Sequence, residues 1–163
     1  MTMETILLAV DSSDEDRLPE LIDAAADVAG DDTTVVTLHV FERDSYRDLQ
    51  SAMNVDPDSE TTPDDVARRY AVVRNVADAL EARGVDTRVR GALGDGSDPI
   101  LRVAREEDAD HLVVGGRRRT PTGKAVFGST AQQILLNATR PVTFVRAGTA
   151  DPDVDDRAVA SPN

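Results

Sequence analysis

Two strand ends of this chain carry residues whose types and places suit the binding of a ligand. Asp11 directly follows the apolar run that ends at Val10, which sets a carboxylate at the carboxyl end of a strand. Gly115-Gly116 follow Val114 in the same way, and Gly128-Ser129-Thr130 begin thirteen positions after Gly115, at the start of a helical stretch. Exposed backbone N–H groups, two hydroxyls and the positive end of a helix dipole make a cradle for phosphate. Glycine at 128 lets such a group approach the backbone closely. Between these segments lies Arg117-Arg118-Arg119. Guanidinium groups match phosphate geometry, but in so acidic a chain they equally form a solvated, salt-bridged face. Plainer roles exist for the other residues too. Asp11 shapes the turn out of a strand, the paired glycines allow a tight turn, and Ser129 or Thr130 caps a helix.

Other chemistries lack their residues. There is no cysteine, hence no disulfide framework, thiolate metal site or cysteine nucleophile. His39 and His111 fall within strands and read as packed core or edge residues, with no second ligand at metal spacing. Gly123-Lys124 has the end of a P-loop, but that motif needs glycine at 118 and Ser or Thr at 125, where the chain has Arg118 and Ala125. Asp11-Ser12-Ser13 after the first strand contains no glycine, so a dinucleotide fingerprint fails as well. No nucleophile elbow or two-histidine metal motif occurs. The chain therefore reads as a binding protein rather than an enzyme.

Short β-rich runs alternate with amphipathic helical stretches, the pattern of a parallel α/β sheet. Thr5 to Val10 is almost continuously apolar, as befits a strand covered on both faces. Ser13 and Asp16 have capping-box spacing, and Leu18, Leu21, Ile22, Ala25, Val28 and Ala29 then form one buried stripe closed by Gly30. Thr34 to Val40 is the second strand. The polar stretch from Phe41 to Thr61 reads as a long surface loop holding a short helix around Tyr46 to Met53. Thr62-Pro63-Asp64-Asp65 opens a helix that buries Val66, Tyr70, Val73, Ala77 and Leu80 before Gly84. Val85 to Val89 is the third strand, Gly91 to Gly96 a loop, and Asp98-Pro99 the start of the third helix. His111 to Val114 is the fourth strand, Gly115 to Lys124 a loop, and the fourth helix turns Ala131, Ile134, Leu135 and Ala138 inward. Arg140-Pro141 leads to a last strand, Val142 to Val145. The expected fold is α/β, an open parallel sheet of five strands with four helices on its two faces. One domain covers residues 1–147, and the acidic, proline-containing residues 148–163 read as a disordered tail.

Charge narrows the partners. The 163 residues carry a net charge of −13 with pI near 4.4, which argues against nucleic acid or an anionic membrane as partner. No apolar run reaches the roughly 18 residues of a membrane span, and the N-terminus lacks a basic, apolar-cored leader, so the chain reads as cytoplasmic. Of the 18 basic side chains only Lys124 is lysine, and of the 31 acidic ones eight are glutamate and the rest aspartate. Short, strongly hydrated carboxylates with almost no lysine point to a halophilic, high-salt cytoplasm.

The segments Ile6-Leu7-Leu8-Ala9-Val10-Asp11-Ser12, Leu38-His39-Val40, Asp110-His111-Leu112-Val113-Val114-Gly115 and Gly128-Ser129-Thr130-Ala131, followed by Arg140-Pro141-Val142, together resemble the universal stress proteins (UspA-like domain) over about Glu4 to Arg146. The resemblance implies the Rossmann-like strand order 3-2-1-4-5 of the adenine nucleotide alpha hydrolase-like fold, with a ligand crevice between strands 1 and 4. It also implies a stress-response regulator binding ATP with Mg²⁺, and a homodimer paired through the last strand, Val142 to Arg146. By that resemblance Asp11 contacts ribose, the backbone of Val40 faces adenine, and Gly115, Gly128, Ser129 and Thr130 hold phosphates. ATP-binding members carry G-x2-G-x9-G-[ST]; here Gly115 and Gly128-Ser129 match, while Arg118 stands at the middle glycine. That side chain either obstructs the phosphates or adds charge-assisted bonds to them. The alternative to a nucleotide-binding regulator is a UspA-like module that acts by protein contacts alone.

The charge reading has a direct consequence. Raising KCl from about 0.1 M to about 1 M shortens the screening length from roughly 10 Å to roughly 3 Å. The thermal midpoint is therefore expected to climb by several degrees over that range, and a flat salt profile in circular-dichroism melts would contradict it.

Overall fold

The computed structural model describes residues 3–54, 56, 60–119 and 125–146. Six strands form one sheet: β1 (Thr5–Ala9), β2 (Thr34–Phe41), β3 (Asp86–Leu93), β4 (His111–Arg119), β5 (Ala125–Phe127) and β6 (Val142–Arg146). Five of them are parallel in the order β3-β2-β1-β4-β6, and the short β5 pairs antiparallel with the far end of β4. Counting the parallel strands alone, this is the 3-2-1-4-5 order expected. The helices are α1 (Leu18–Val28), α2 (Arg43–Ala52), α3 (Pro63–Arg69), α4 (Ala71–Ala82), α5 (Asp98–Glu106) and α6 (Ser129–Asn137).

Strand alternation divides the core in two. Ile6, Leu8, Val10, Val35 and Val113 face α1 and α4, meeting Leu21, Ala25, Val73, Val76 and Leu80. Leu7, Val36, Leu38, Leu112 and Val114 face α5 and α6, meeting Ile100, Val103 and Ile134. Each fully buried aliphatic side chain in these layers contributes about 1.5–3 kcal/mol. A third cluster of Phe41, Tyr46, Val66 and Ala67 lies beyond the end of β2, under α2 and α3.

Several expected elements differ in detail. Residues Ser12–Arg17 form a 3-10 turn, and α1 begins only at Leu18 rather than directly after Ser13. Asp14 closes this turn locally, its Oδ2 accepting from the Asp11 N–H at 2.9 Å. The capping box of Thr62 and Asp65 does form, but the single helix expected after it is two, broken at Tyr70 (φ −78°, ψ 127°). At that break the Tyr70 ring packs on His39, with centroids 4.6 Å apart. The short helix within 41–61 runs from Arg43 to Ala52. Leu135 is not an inward residue: it is 58% exposed, beside Leu136 at 81%, because Ala131 and Ile134 define the buried face of α6. The Gly115 to Lys124 loop is in part strand, since β4 continues to Arg119 and returns as β5. Residues 120–124 and the tail 148–163 lie outside the described residues. Among the described residues no helix is long and apolar enough to cross a membrane.

Charge pairs hold the α3–β3–α5 corner. Arg90 reaches Asp64 at 3.3 Å, Glu106 at 2.8 Å and Glu107 at 2.6 Å, while Arg88 reaches Glu107 at 2.8 Å. Burial opposes the charge of Arg90, but its hydrogen bonds to Glu106 and Glu107 outweigh that and hold it firmly protonated. Both histidines sit where the sequence put them. His39 is buried, and its Nδ1 donates to the carbonyl of Val10 at 2.8 Å, since that oxygen only accepts. His111 Nε2 lies 2.7 Å from Thr143 Oγ1.

Two outcomes follow. A Cβ at Gly91 would lie 2.1 Å from the Pro63 carbonyl oxygen, a backbone atom that cannot swing aside. Gly91→Ala is therefore expected to cost about 2 kcal/mol and lower the melting midpoint by roughly 4–8 °C. Burial lowers both histidine pKa values below 6.5, more than offsetting the Val10 hydrogen bond and the Asp11 carboxylate near His39. The unfolded chain thus binds protons that the folded chain refuses, and stability should fall as pH drops through about 6.5. His39→Gln is expected to flatten the slope of Tm between about pH 7 and about pH 5.5; an unchanged slope would show that His39 is not held neutral.

Candidate functional site

Backbone groups in the middle of a covered sheet are already paired, so free ones occur at strand ends. After β1 the chain turns to α1 on one face, and after β4 it proceeds to α6 on the other. The two exits part between β1 and β4, leaving a cleft of about 250 Å³. Its apolar floor comes from Ala9, Leu38, Val40, Ile100, Val114 and Ile134. Asp11, Gly115 and Thr130 line its polar side.

The expected site residues fall into three groups. Asp11, Val40, Gly115 and Thr130 come together around this one cleft although they lie on four separate segments. Gly128 and Ser129 do not line it. Both are exposed at the start of α6, where Gly128 is the N-cap with no side-chain bond to the helix. The first N–H groups of α6 therefore have no partner within their own helix. Arg118 stands on the β4–β5 hairpin, its backbone paired with Val126. Arg117 pairs with Arg146 on one side and Phe127 on the other, which puts the hairpin on the β1 side of β4, above the end of β1.

The cleft also holds residues that the sequence did not single out. Glu42, just past β2, and Gly94-Asp95-Gly96, just past β3, line it, as does Asp14. The glycines of that second segment have φ of +140° and +69°, so Gly-Asp-Gly after a strand was the available signal for a tight loop. Ser97 Oγ donates to Gln133 Oε1 at 2.8 Å and ties this loop to α6.

Asp14 is paired with Arg17, whose Nε lies 3.1 Å from its Oδ1. With Asp14 so paired, Asp11, Glu42 and Asp95 are the other acidic residues that line the cleft. They do not gather as a metal site: among the described residues, no group of three or more His, Asp or Glu side chains is placed to hold an ion. The arrangement can bury a flat apolar group, accept hydrogen bonds from hydroxyls at Asp11, and present N–H groups at the start of α6.

Comparison with known proteins agrees with this geometry. Residues 2–146 match the model of the universal stress protein family. A universal stress protein of Mycolicibacterium smegmatis is 30% identical over 116 residues, 71% of this chain and 77% of that protein. Among solved structures, a universal stress protein in complex with cAMP superposes with a TM-score of 0.63 at 22% identity, covering 91% of this chain and all (100%) of that one. The universal stress protein from Archaeoglobus fulgidus in complex with dAMP gives a TM-score of 0.54 at 20% identity, covering 89% and 99%. With the sheet order, the cleft between β1 and β4 and this match over nearly the whole described chain in hand, the protein belongs to the universal stress protein family.

Proposed function

We propose that this chain binds an adenine nucleotide in the cleft between β1 and β4 and acts as a stress-response regulator through that occupancy rather than through catalysis. The observation that carries the reading is the convergence of Asp11, Val40, Gly115 and Thr130 on a single cleft at the carboxyl ends of three strands. Two structural neighbours are described in complex with cAMP and with dAMP, which supports an adenine nucleotide of this size.

The residues fit such a ligand. Leu38, Val40 and Ile134 offer an apolar slot for a base, with the peptide groups around Val40 at its edge. Asp11 accepts hydrogen bonds from ribose hydroxyls, and the hydroxyl of Thr130 with the free N–H groups of α6 receives phosphate. The cleft lies at the lower end of the usual ~300–1,000 Å³ for small-molecule sites, so it suits a nucleoside and its first phosphate. Further phosphates of ATP would extend toward Gly128, Ser129 and the Arg118 hairpin. Asp11, Glu42 and Asp95 repel that added charge, so ATP binds as its Mg²⁺ complex, the ion supplying screening. Signalling then rests on a difference in affinity between two states of the surface or assembly. The assembly we propose is a cytoplasmic homodimer paired through β6, whose other side is bonded to no strand among the described residues.

A second reading, a module that works by protein contacts alone, draws on the exposed Leu135 and Leu136 of α6. Calorimetric titration in about 1 M KCl separates the two. Saturable binding of AMP is expected, and removal of Mg²⁺ should weaken ATP while leaving AMP nearly unchanged. Asp11→Ala and Thr130→Ala are each expected to weaken AMP by about tenfold, the size of one lost hydrogen bond to a charged or polar group. Gly128→Ala is the sharpest variant, because φ there is −69° and no described residue lies within 4 Å of a Cβ. The fold tolerates it, so an affinity loss there reads the approach of the ligand itself. A flat titration of folded protein leaves the protein-contact reading.

A further inference from the structure

Gly115 and the Asp14–Arg17 pair meet in a way that the nucleotide reading does not require. The pair is buried, with side-chain exposures of 4% for Arg17 and 8% for Asp14. Two contacts of its carboxylate bear on the cleft. Oδ1 faces Arg17 Nε at 3.1 Å, and Oδ2 accepts from the backbone N–H of Asp11 at 2.9 Å. The N–H of Asp14 in turn donates to the Asp11 carbonyl at 3.0 Å, so Asp11 is fastened on both sides of its α-carbon. Arg17 extends across the sheet end, with Nη1 donating to the Val145 carbonyl of β6 at 3.4 Å.

The pair lies directly against the backbone of β4. A Cβ on Gly115 would stand 2.5 Å from Asp14 Oδ1 and 2.9 Å from both Cδ and Nη1 of Arg17. These are side-chain atoms and can shift, but a shift of either partner loosens a buried ion pair and leaves the other charge less compensated. The ladder between β4 and β6 is irregular between Gly115 and Arg117, which fits a strand bent around an obstacle.

We infer that Gly115, Asp14 and Arg17 form one positioning unit: glycine is needed at 115 because the ion pair fills the space of a side chain, and the pair holds Asp11 at the cleft wall opposite β4. The unit links the loop after β1, the middle of β4 and the strand β6, and so ties the two cleft walls together. Its consequence for ligand rests on the nucleotide reading; its packing logic does not. It also separates two roles that a glycine in this place can have. If Gly115 serves ligand approach, an added methyl obstructs the ligand whatever Asp14 and Arg17 are. If it serves the ion pair, the methyl is harmful only while the pair is there.

A double-mutant cycle, read by thermal melting and by titration of AMP, distinguishes these. In the natural chain Gly115→Ala is expected to lower the midpoint by about 5 °C and to weaken AMP by about tenfold. In the Asp14→Ala/Arg17→Ala chain the same change should move the midpoint by less than about 1 °C, and any loss of AMP affinity left there reads only the ligand's own approach to position 115. Equal losses in both backgrounds would overturn the inference and return Gly115 to ligand approach. Should the double-alanine chain fail to fold, amide hydrogen exchange decides instead. Gly115→Ala displaces Asp14, so the Asp11 N–H should exchange about tenfold faster than in the natural chain; an unchanged rate overturns the proposal. If the natural chain takes up no AMP, the nucleotide reading fails by itself, because the thermal and exchange arms need no ligand.

Discussion

A parallel sheet covered on both faces has its backbone groups paired along the ladder and its side chains locked in two layers. The rest of this molecule follows from that constraint. Strand β1 lies at the centre, bonded to β2 on one side and β4 on the other, with Ile6, Leu7 and Leu8 completely buried. Nothing can bind in such a region, so a ligand is confined to the strand ends. The reversal of strand order between β1 and β4 then separates two chain exits, one toward α1 and one toward α6. The cleft is the space left by that separation, and its position is a property of the topology before any polar residue is considered.

What the polar residues add is local fastening. The Asp14–Arg17 pair closes the turn after β1 and fills the hollow that Gly115 leaves beside it. Ser97 and Gln133 fasten the opposite wall, joining the loop after β3 to α6. Arg90 gathers Asp64, Glu106 and Glu107 and so binds α3 and α5 to the edge of β3. These contacts are partly screened from water, which is where ion pairs count for more than on an open surface. In a chain of net charge −13, arginines so placed also absorb part of the repulsion that the fold would otherwise carry.

The cleft's own charge bears on its selectivity. Asp11, Glu42 and Asp95 line it, and Arg17, though buried nearby, is engaged with Asp14. A site of this sign favours ligands that bring hydroxyls, an apolar body and little uncompensated negative charge. The start of α6, by contrast, presents backbone N–H groups, and Gly128 there is exposed. The hairpin of β4 and β5 stands above the same end of the sheet, so the arginines of β4 belong to the surroundings of the cleft by backbone position.

Much of this was legible along the chain, because it depends on local pattern. Apolar runs bounded by turns gave the five parallel strands, and three- and four-residue steps gave the helices that cover them. Asp11 and Gly115 were identifiable from their places after apolar runs, Thr130 from Gly-Ser-Thr at a helix start, and Val40 through the family resemblance. Other features were not legible, each for a physical reason. Tyr70 breaks a helix whose local pattern is continuous, because its ring packs on His39, thirty-one positions back in the chain. Leu135 fits an apolar stripe by type, yet only the rotation of α6 on the sheet makes Ile134 the buried neighbour. Glu42 and Asp95 look like ordinary loop acids until β2 and β3 are laid beside β1. Gly115 shows most clearly where the division lies. Sequence determined that a glycine follows the apolar run His111 to Val114, since residue type is local; that an ion pair from another segment fills its missing side chain was decided only when the sheet brought β1 and β4 together.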